Sequence, residues 1–331
     1  MIEMKNVVVS SSPHVRNEKD TRSIMVDVII ALMPALALGV FVFGPRALTV
    51  TAVSVAAAVF FEWLYEKLLK KPYTIGDYSA VVTGILLAYN LPVTVPLWIP
   101  IIGTGFAIIL VKQLFGGLGK NFMNPALAAR AFLFSWPVLM TTWVKPHTAL
   151  SLFTTPVDVV TAATPLAQMK LNGALPNASV LDMALGQIGG CLGETSALAL
   201  LAGGLYLVYR GVITPRIPVA YIGTVAVLTF FFPRGNDPVL WMASSLFSGG
   251  LMLGAIFMAT DYSTSPVTKT GQWVFGIGCG LITVFIRYFG AYPEGVSYSI
   301  LVMNATVWMI DKYTKPLKFG YERKKGGAKS K

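Results

Sequence analysis

Ten stretches of this chain are apolar over about the length a bilayer demands, and nothing else in the sequence constrains it so tightly. A hydrocarbon core takes about 20 apolar residues per helix. Segments 24–43, 46–66, 78–92, 96–115, 124–141, 193–209, 217–232, 238–259, 271–289 and 297–311 meet or approach that length. Charged residues make up 12% of the chain, whereas a soluble domain carries about a quarter, so an aqueous surface cannot be assembled. The expected fold is an all-α integral membrane protein of about ten transmembrane helices. Several segments are short or broken by glycine and proline, and 124–141 opens on Asn124-Pro125 and closes near Pro137. Freed backbone groups are tolerated in a membrane only where neighbouring protein covers them, so the breaks are where a site is expected.

Charge placement sets an orientation and excludes other classes. With the N-terminus in the cytoplasm, all but five of the 26 Lys and Arg fall on the inner side; Arg46, Lys145, Lys170, Arg234 and Arg287 remain outside. That asymmetry supports ten spans with both termini inside, and the expected location is a cell (inner) membrane. A net charge of +11 arises at span ends and in the basic tail, with no basic stripe interleaved with aromatics, so nucleic acid is not an expected partner. Cys191 and Cys279 lie far apart and form no CxxC pair, so this chain alone cannot supply a four-thiolate iron–sulfur cluster. The two histidines, one in each of two loops, give no bis-histidine haem helix, and no metal ligand set is expected. Charges out to Arg22 precede the first apolar run, so no cleavable signal peptide is expected.

The chain therefore divides into an N-terminal segment 1–23, a first membrane half 24–141, an outward loop 142–192, a second half 193–311 and a basic tail 312–331. Five spans per half is an odd number, so a duplicated half would sit inverted relative to the first. Short echoes suggest duplication. Asp77-Tyr78-Ser79 returns as Asp261-Tyr262-Ser263, and Ser79-x-x-x-Thr83-Gly84 returns as Ser244-x-x-x-Ser248-Gly249.

The long loop contains Asp158-Val159-Val160-Thr161-Ala162-Ala163-Thr164-Pro165. On residue types alone it reads as a turn in which Asp158 and Thr161 cap backbone amides. It also resembles the D-x-x-[ST]-[GA]-A-T signature at which a flavin transferase attaches FMN through a phosphoester to the last threonine, here Thr164. Asp158, Thr161 and Ala163 are the matching motif positions around it. Thr161 and Ala162 stand where Ser-Gly is more frequent, a change that keeps a hydroxyl and a small residue. Further segments carry a wider resemblance: Gly76 to Ala88 with Asn90-Leu91-Pro92, Gly116 to Asn121 with Asn124-Pro125-Ala126, Gly193 to Ser196, and Phe257 to Asp261. Together they resemble the family that unites the B subunit of the sodium-pumping NADH:quinone reductase with the D subunit of the Rnf complex, from about Arg22 to Lys312. The quinone reductase protein has a longer extension before its first span, so the chain looks more like the Rnf branch.

That resemblance implies one redox step within an ion-translocating ferredoxin:NAD+ oxidoreductase. It implies covalent FMN on Thr164, a second, non-covalent flavin such as riboflavin between the helix halves, and Na+ or H+ as the coupling ion. The implied partners are a subunit with its own outward covalent FMN, together with cytoplasmic NAD-binding and ferredoxin-accepting subunits. Ionisable groups inside spans are costly and point to function, which singles out Glu62, Asp77, Asp261 and Glu294, with Asn124 at the broken fifth span. The ordinary alternatives are that Asp77 and Asp261 are caps at the membrane surface, that Glu62 snorkels or pairs with nearby Glu66 and Lys67, and that Gly189 to Ser196 is a capped turn. Two other functions stay open on residues alone: a secondary transporter or channel built on inverted halves, and a passive scaffold for a redox complex.

Overall fold

A capping side chain followed by proline decides where three of the shorter helices begin. The computed structural model describes residues 20–148, 150, 152–153, 163–194 and 196–316. Its helices are α1 Thr21–Phe43, α2 Arg46–Leu68, α3 Ser79–Tyr89, α4 Trp98–Gln113, α5 Pro125–Leu133, α6 Pro137–Met140 and α7 Pro165–Asn172. They continue with α8 Val180–Leu185, α9 Ala197–Tyr209, α10 Arg216–Phe231, α11 Pro238–Phe247, α12 Leu251–Met258, α13 Lys269–Phe289 and α14 Val296–Thr314. Asn124, Thr164 and Asp237 each accept first-turn amides as N-caps, and each is followed by proline at the first helical position. This is the pairing expected at a helix start, since the cap satisfies an orphan donor and the proline removes one.

Every one of the ten predicted segments contains helix, but their lengths differ. Among the described residues, α1, α2 and α13 are long and apolar enough to cross a membrane. Helices α11 and α12, bent by 63° at the Ser248–Gly250 break, make a fourth span if counted together. The remaining apolar helices are shorter, and α5 has only nine residues. Two of the segments end in wider π turns, Phe106–Gln113 in α4 and Gly254–Met258 in α12. Such turns shift the residues after them off the ordinary helical stripe and recur at functional sites.

Packing follows a repeated pattern. Helix α2 lies on α3 and α4, and α4 on α5; α10 lies on α11 and α13, and α13 on α14. The two sets meet through α1 against α9 and α5 against α14, around one apolar core that includes Leu32, Leu127, Leu200, Phe257 and Ile300. Glycine sets the closest approaches, as is usual where helices pack without a hydrophobic drive between them. A Cβ on Gly203 of α9 would overlap the Ala31 carbonyl oxygen of α1. Gly203→Ala is therefore expected to lower the thermal stability of the detergent-solubilised protein by about 1–3 kcal/mol, the usual cost of overpacking. Gly223→Ala, with open space around the new carbon in the interior of α10, is the control and should not lower it.

Candidate functional site

Two cavities are lined by charged and polar side chains that the sequence singles out. The first has a volume of about 440 Å³ and is lined by Thr164, Ala163, Arg130, Glu194, Glu294, Phe134, Trp143 and Tyr292. Thr164 is 9% exposed and caps α7, its Oγ1 accepting the Ala167 amide at 3.2 Å. Two structural ties fix that position. Leu166 and Met169 of α7 pack with Trp241. Lys170 donates to the carbonyls of Gly290 and Tyr292, on the loop that also carries Glu294. Partial burial, with Arg234 adding to it, holds the Lys170 ammonium below its ordinary pKa. Asp158 and Thr161 lie outside the described residues.

Charged side chains also line this cavity. Arg130, in the second turn of α5, forms a two-pronged ion pair with Glu294 through Nη1 and Nη2. Nη1 also donates to Asn90 Oδ1 at 2.9 Å and Ser297 Oγ at 3.0 Å. Its Nε is buried and has no hydrogen-bond partner among the described residues. Glu294 is held from behind: Oε1 accepts the Gly250 amide at 3.1 Å, and Arg287 Nε donates to its backbone carbonyl. Glu194 enters from the return of the long loop, where Leu192 N donates to the Leu91 carbonyl at the end of α3. Gly190 leaves room for it, since a Cβ there would overlap Glu194 Oε2. Ser196 caps α9 through the Ala199 amide, the capped-turn reading of this segment.

The second cavity is smaller, about 90 Å³, and is lined by Asn124, Asn121, Ser79, Lys112, Asp261 and Ser263 among apolar residues of α1, α3, α9 and α12. The two Asp-Tyr-Ser echoes meet here. Asp77 Oδ1 accepts the amide and hydroxyl of Ser79, and Asp261 Oδ1 those of Ser263, so each aspartate holds its own serine and both serines line one space. Asn121 Oδ1 is buried without a partner among the described residues. Glu62 does not line this cavity; it sits directly behind it. Its Oε1 accepts Lys112 Nζ at 2.6 Å and Gln113 Nε2 at 2.8 Å, and Lys112 Nζ also donates to Ser79 Oγ at 2.6 Å. Both donors sit on the π turn of α4.

Glu62 thus pairs with Lys112 across two helices, and Glu66 turns instead to Thr74. Lys112 and Arg130, read from sequence as basic residues at the membrane surface, are 2% and 3% exposed. The sign that marks them is their position inside or beside an apolar segment, where a cation persists only with a buried partner. Asp27 of α1, paired with Arg210 at 3.2 Å, was missed for the same reason. A thread of contacts joins the cavities: Arg130 to Asn90, Asn90 Nδ2 to Met258 Sδ at 3.6 Å, and Asn124 Nδ2 to the Met258 carbonyl at 3.4 Å.

Comparison with known proteins gives a consistent answer. Residues 8–320 match the NQR2, RnfD, RnfE family. The chain is 53% identical over 328 residues to the D subunit of the Na+-translocating ferredoxin:NAD+ oxidoreductase complex of Acetobacterium woodii, covering 98% of this chain and 99% of that one. It is 46% identical to the D subunit of the proton-translocating ferredoxin:NAD+ oxidoreductase complex of Clostridium ljungdahlii, covering 96% and 98%. It is 36% identical to the D subunit of the ion-translocating oxidoreductase complex of Actinobacillus succinogenes, covering 94% and 97%.

Proposed function

The chain belongs to the NQR2, RnfD, RnfE family, and from that premise we propose that it is the flavin-bearing membrane subunit of an ion-translocating ferredoxin:NAD+ oxidoreductase. It works with other subunits and does not complete the reaction alone. One observation carries the reading: the threonine that ends the flavinylation-like motif opens into a cavity with aromatic walls and a buried cation. The volume, about 440 Å³, falls within the ~300–1,000 Å³ usual for small-ligand sites. The unpartnered Arg130 Nε supports a ligand that accepts hydrogen bonds. Bound FMN supplies the electron-carrying chemistry; the chain's residues attach it, orient it and set its surroundings. Thr164 Oγ1 is the attachment atom. The N-terminus of α7, at which Thr164 stands, suits a phosphate because its dipole favours negative charge. Phe134, Trp143 and Tyr292 of the cavity wall would supply aromatic surface to the ring.

A second, non-covalent flavin such as riboflavin is assigned to the Asn124 cavity, supported by the unpartnered Asn121 Oδ1. At about 90 Å³ that space lies below the ~300 Å³ lower end for such sites, so it must widen to admit one. The ten-span, inverted-half architecture is supported by the mirrored packing of α2–α4 and α10–α13. Paired sequence marks agree with it: Pro45-Arg46 with Pro215-Arg216, and Gly103-Thr104-Gly105 before Lys112 with Gly278-Cys279-Gly280 before Arg287. With that architecture, the cytoplasmic termini follow from the basic residues, and the Thr164 cavity faces outward, within reach of a partner's flavin.

Ion coupling is assigned to the carboxylates Glu62, Asp77 and Asp261 at one end and Glu294 at the other, of which Glu62 is fully buried. The relatives' names carry both sodium and protons, so similarity does not select the ion. The test uses membrane vesicles from cells lacking this chain. NAD+ reduction by reduced ferredoxin and the coupled ion uptake should both disappear, and both should return with the wild-type chain. Electron transfer that survived without it would make the chain a scaffold, and solute flux in vesicles holding this chain alone would make it a carrier.

A further inference from the structure

We propose that Arg130 and Glu294 together set the reduction potential of the flavin carried on Thr164, with Arg130 raising it and Glu294 holding that effect in check; this rests on the covalent-flavin reading above. The two charges line the same cavity as the threonine. Arg130 is 3% exposed, so its charge is poorly screened by water, and an effective dielectric near about 20 rather than 80 governs what it does to a neighbour. Its two terminal nitrogens are engaged by Glu294, Asn90 and Ser297, while Nε is left without a partner among the described residues. A guanidinium fixed on one edge and open on another is pre-organised, so it need not move when a charge develops beside it.

Reduction adds negative charge to an isoalloxazine, and charge placed near the ring is one of the levers a protein has over its electronics. A fixed cation therefore favours the reduced form. Glu294 neutralises much of that cation, and Arg287, which donates to the Glu294 backbone carbonyl and the Ser245 carbonyl, keeps Glu294 in place. The pair works as an adjustable field: removing either member moves the potential, in opposite directions. A purely structural ion pair would not produce that sign reversal.

Spectroelectrochemical titration of the covalently bound flavin in the intact complex is the test. Arg130→Gln should shift the oxidised-to-reduced ratio at least tenfold towards oxidised, a fall of about 30 mV for a two-electron couple. Glu294→Gln, which leaves Arg130 its Asn90 and Ser297 contacts, should shift the ratio in the opposite direction by a similar factor. Arg130→Lys keeps the charge and should recover most of the native value. Where Arg130→Gln does not assemble, the Glu294→Gln and Arg130→Lys arms carry the test between them. Potentials that stay put, or move together, in chains that still carry the fluorescent flavin would overturn the inference. A wild-type chain with no covalent flavin would overturn the Thr164 reading itself, and this inference with it.

Discussion

Thr164→Ala is expected to abolish the ultraviolet flavin fluorescence of the denatured chain on a gel, without preventing the chain from inserting and folding. The expectation of a complete loss follows from the chemistry, since an alanine has no oxygen to form the phosphoester. The expectation of a folded chain follows from position. Thr164 caps α7, an eight-residue helix, and replacing a capping hydroxyl by alanine costs about 1 kcal/mol. The rest of α7 stays anchored by Leu166, Met169 and Lys170. Thr164→Ser, which restores both the acceptor oxygen and the cap, should regain fluorescence. A band that persisted in Thr164→Ala would move the attachment site elsewhere and leave this cavity without its proposed occupant.

The largest stability effect is expected at Lys112. Glu62 is 0% exposed, its Oε2 has no partner among the described residues, and Lys112 is the one cation hydrogen-bonded to it among them. Lys112→Met leaves a carboxylate buried and uncompensated, a situation that costs about 3–5 kcal/mol. The cost should appear as a large drop in the thermal midpoint of the purified protein in detergent. Adding Glu62→Gln to Lys112→Met should recover most of it, because a neutral pair in the same place has no unpaired charge to desolvate. A single variant that lost less than about 1 kcal/mol, the value typical of a solvent-exposed pair, would mean that water reaches Glu62. Since Glu62 is also among the residues assigned to ion coupling, stability and ion uptake should be read on the same preparation.

What the sequence makes legible here is local. Hydropathy places helix within each of the ten apolar runs but not α7 and α8 in the polar loop, and cap-plus-proline pairs such as Asn124-Pro125 place helix starts to the residue. The Asp-Tyr-Ser echo is visible as a string. That its two copies face one cavity depends on how α3 and the residues after α12 pack. Long-range pairing is where the linear reading falls short. Glu62 has Glu66 and Lys67 as close sequence neighbours, yet its partner lies 50 positions away. The π turn of α4 shifts Lys112 from the register a 3.6-residue period would assign. Arg130 meets Glu294 across 164 positions. Counted by the positive-inside rule, both cations looked like surface markers, because that rule weighs the number of charges and takes no account of their partners. Thr164 is the opposite case: a motif of short residues named it, and the fold adds what the motif could not, a cap position in the wall of a cavity that holds two carboxylates and a guanidinium.

Mass spectrometry of the tryptic peptide ending at Lys170, taken from the complex in its native host, tests the central claim most directly. The expected result is that peptide carrying the mass of FMN less one water, with fragment ions placing the addition on Thr164. The unmodified peptide as the sole species would contradict the account.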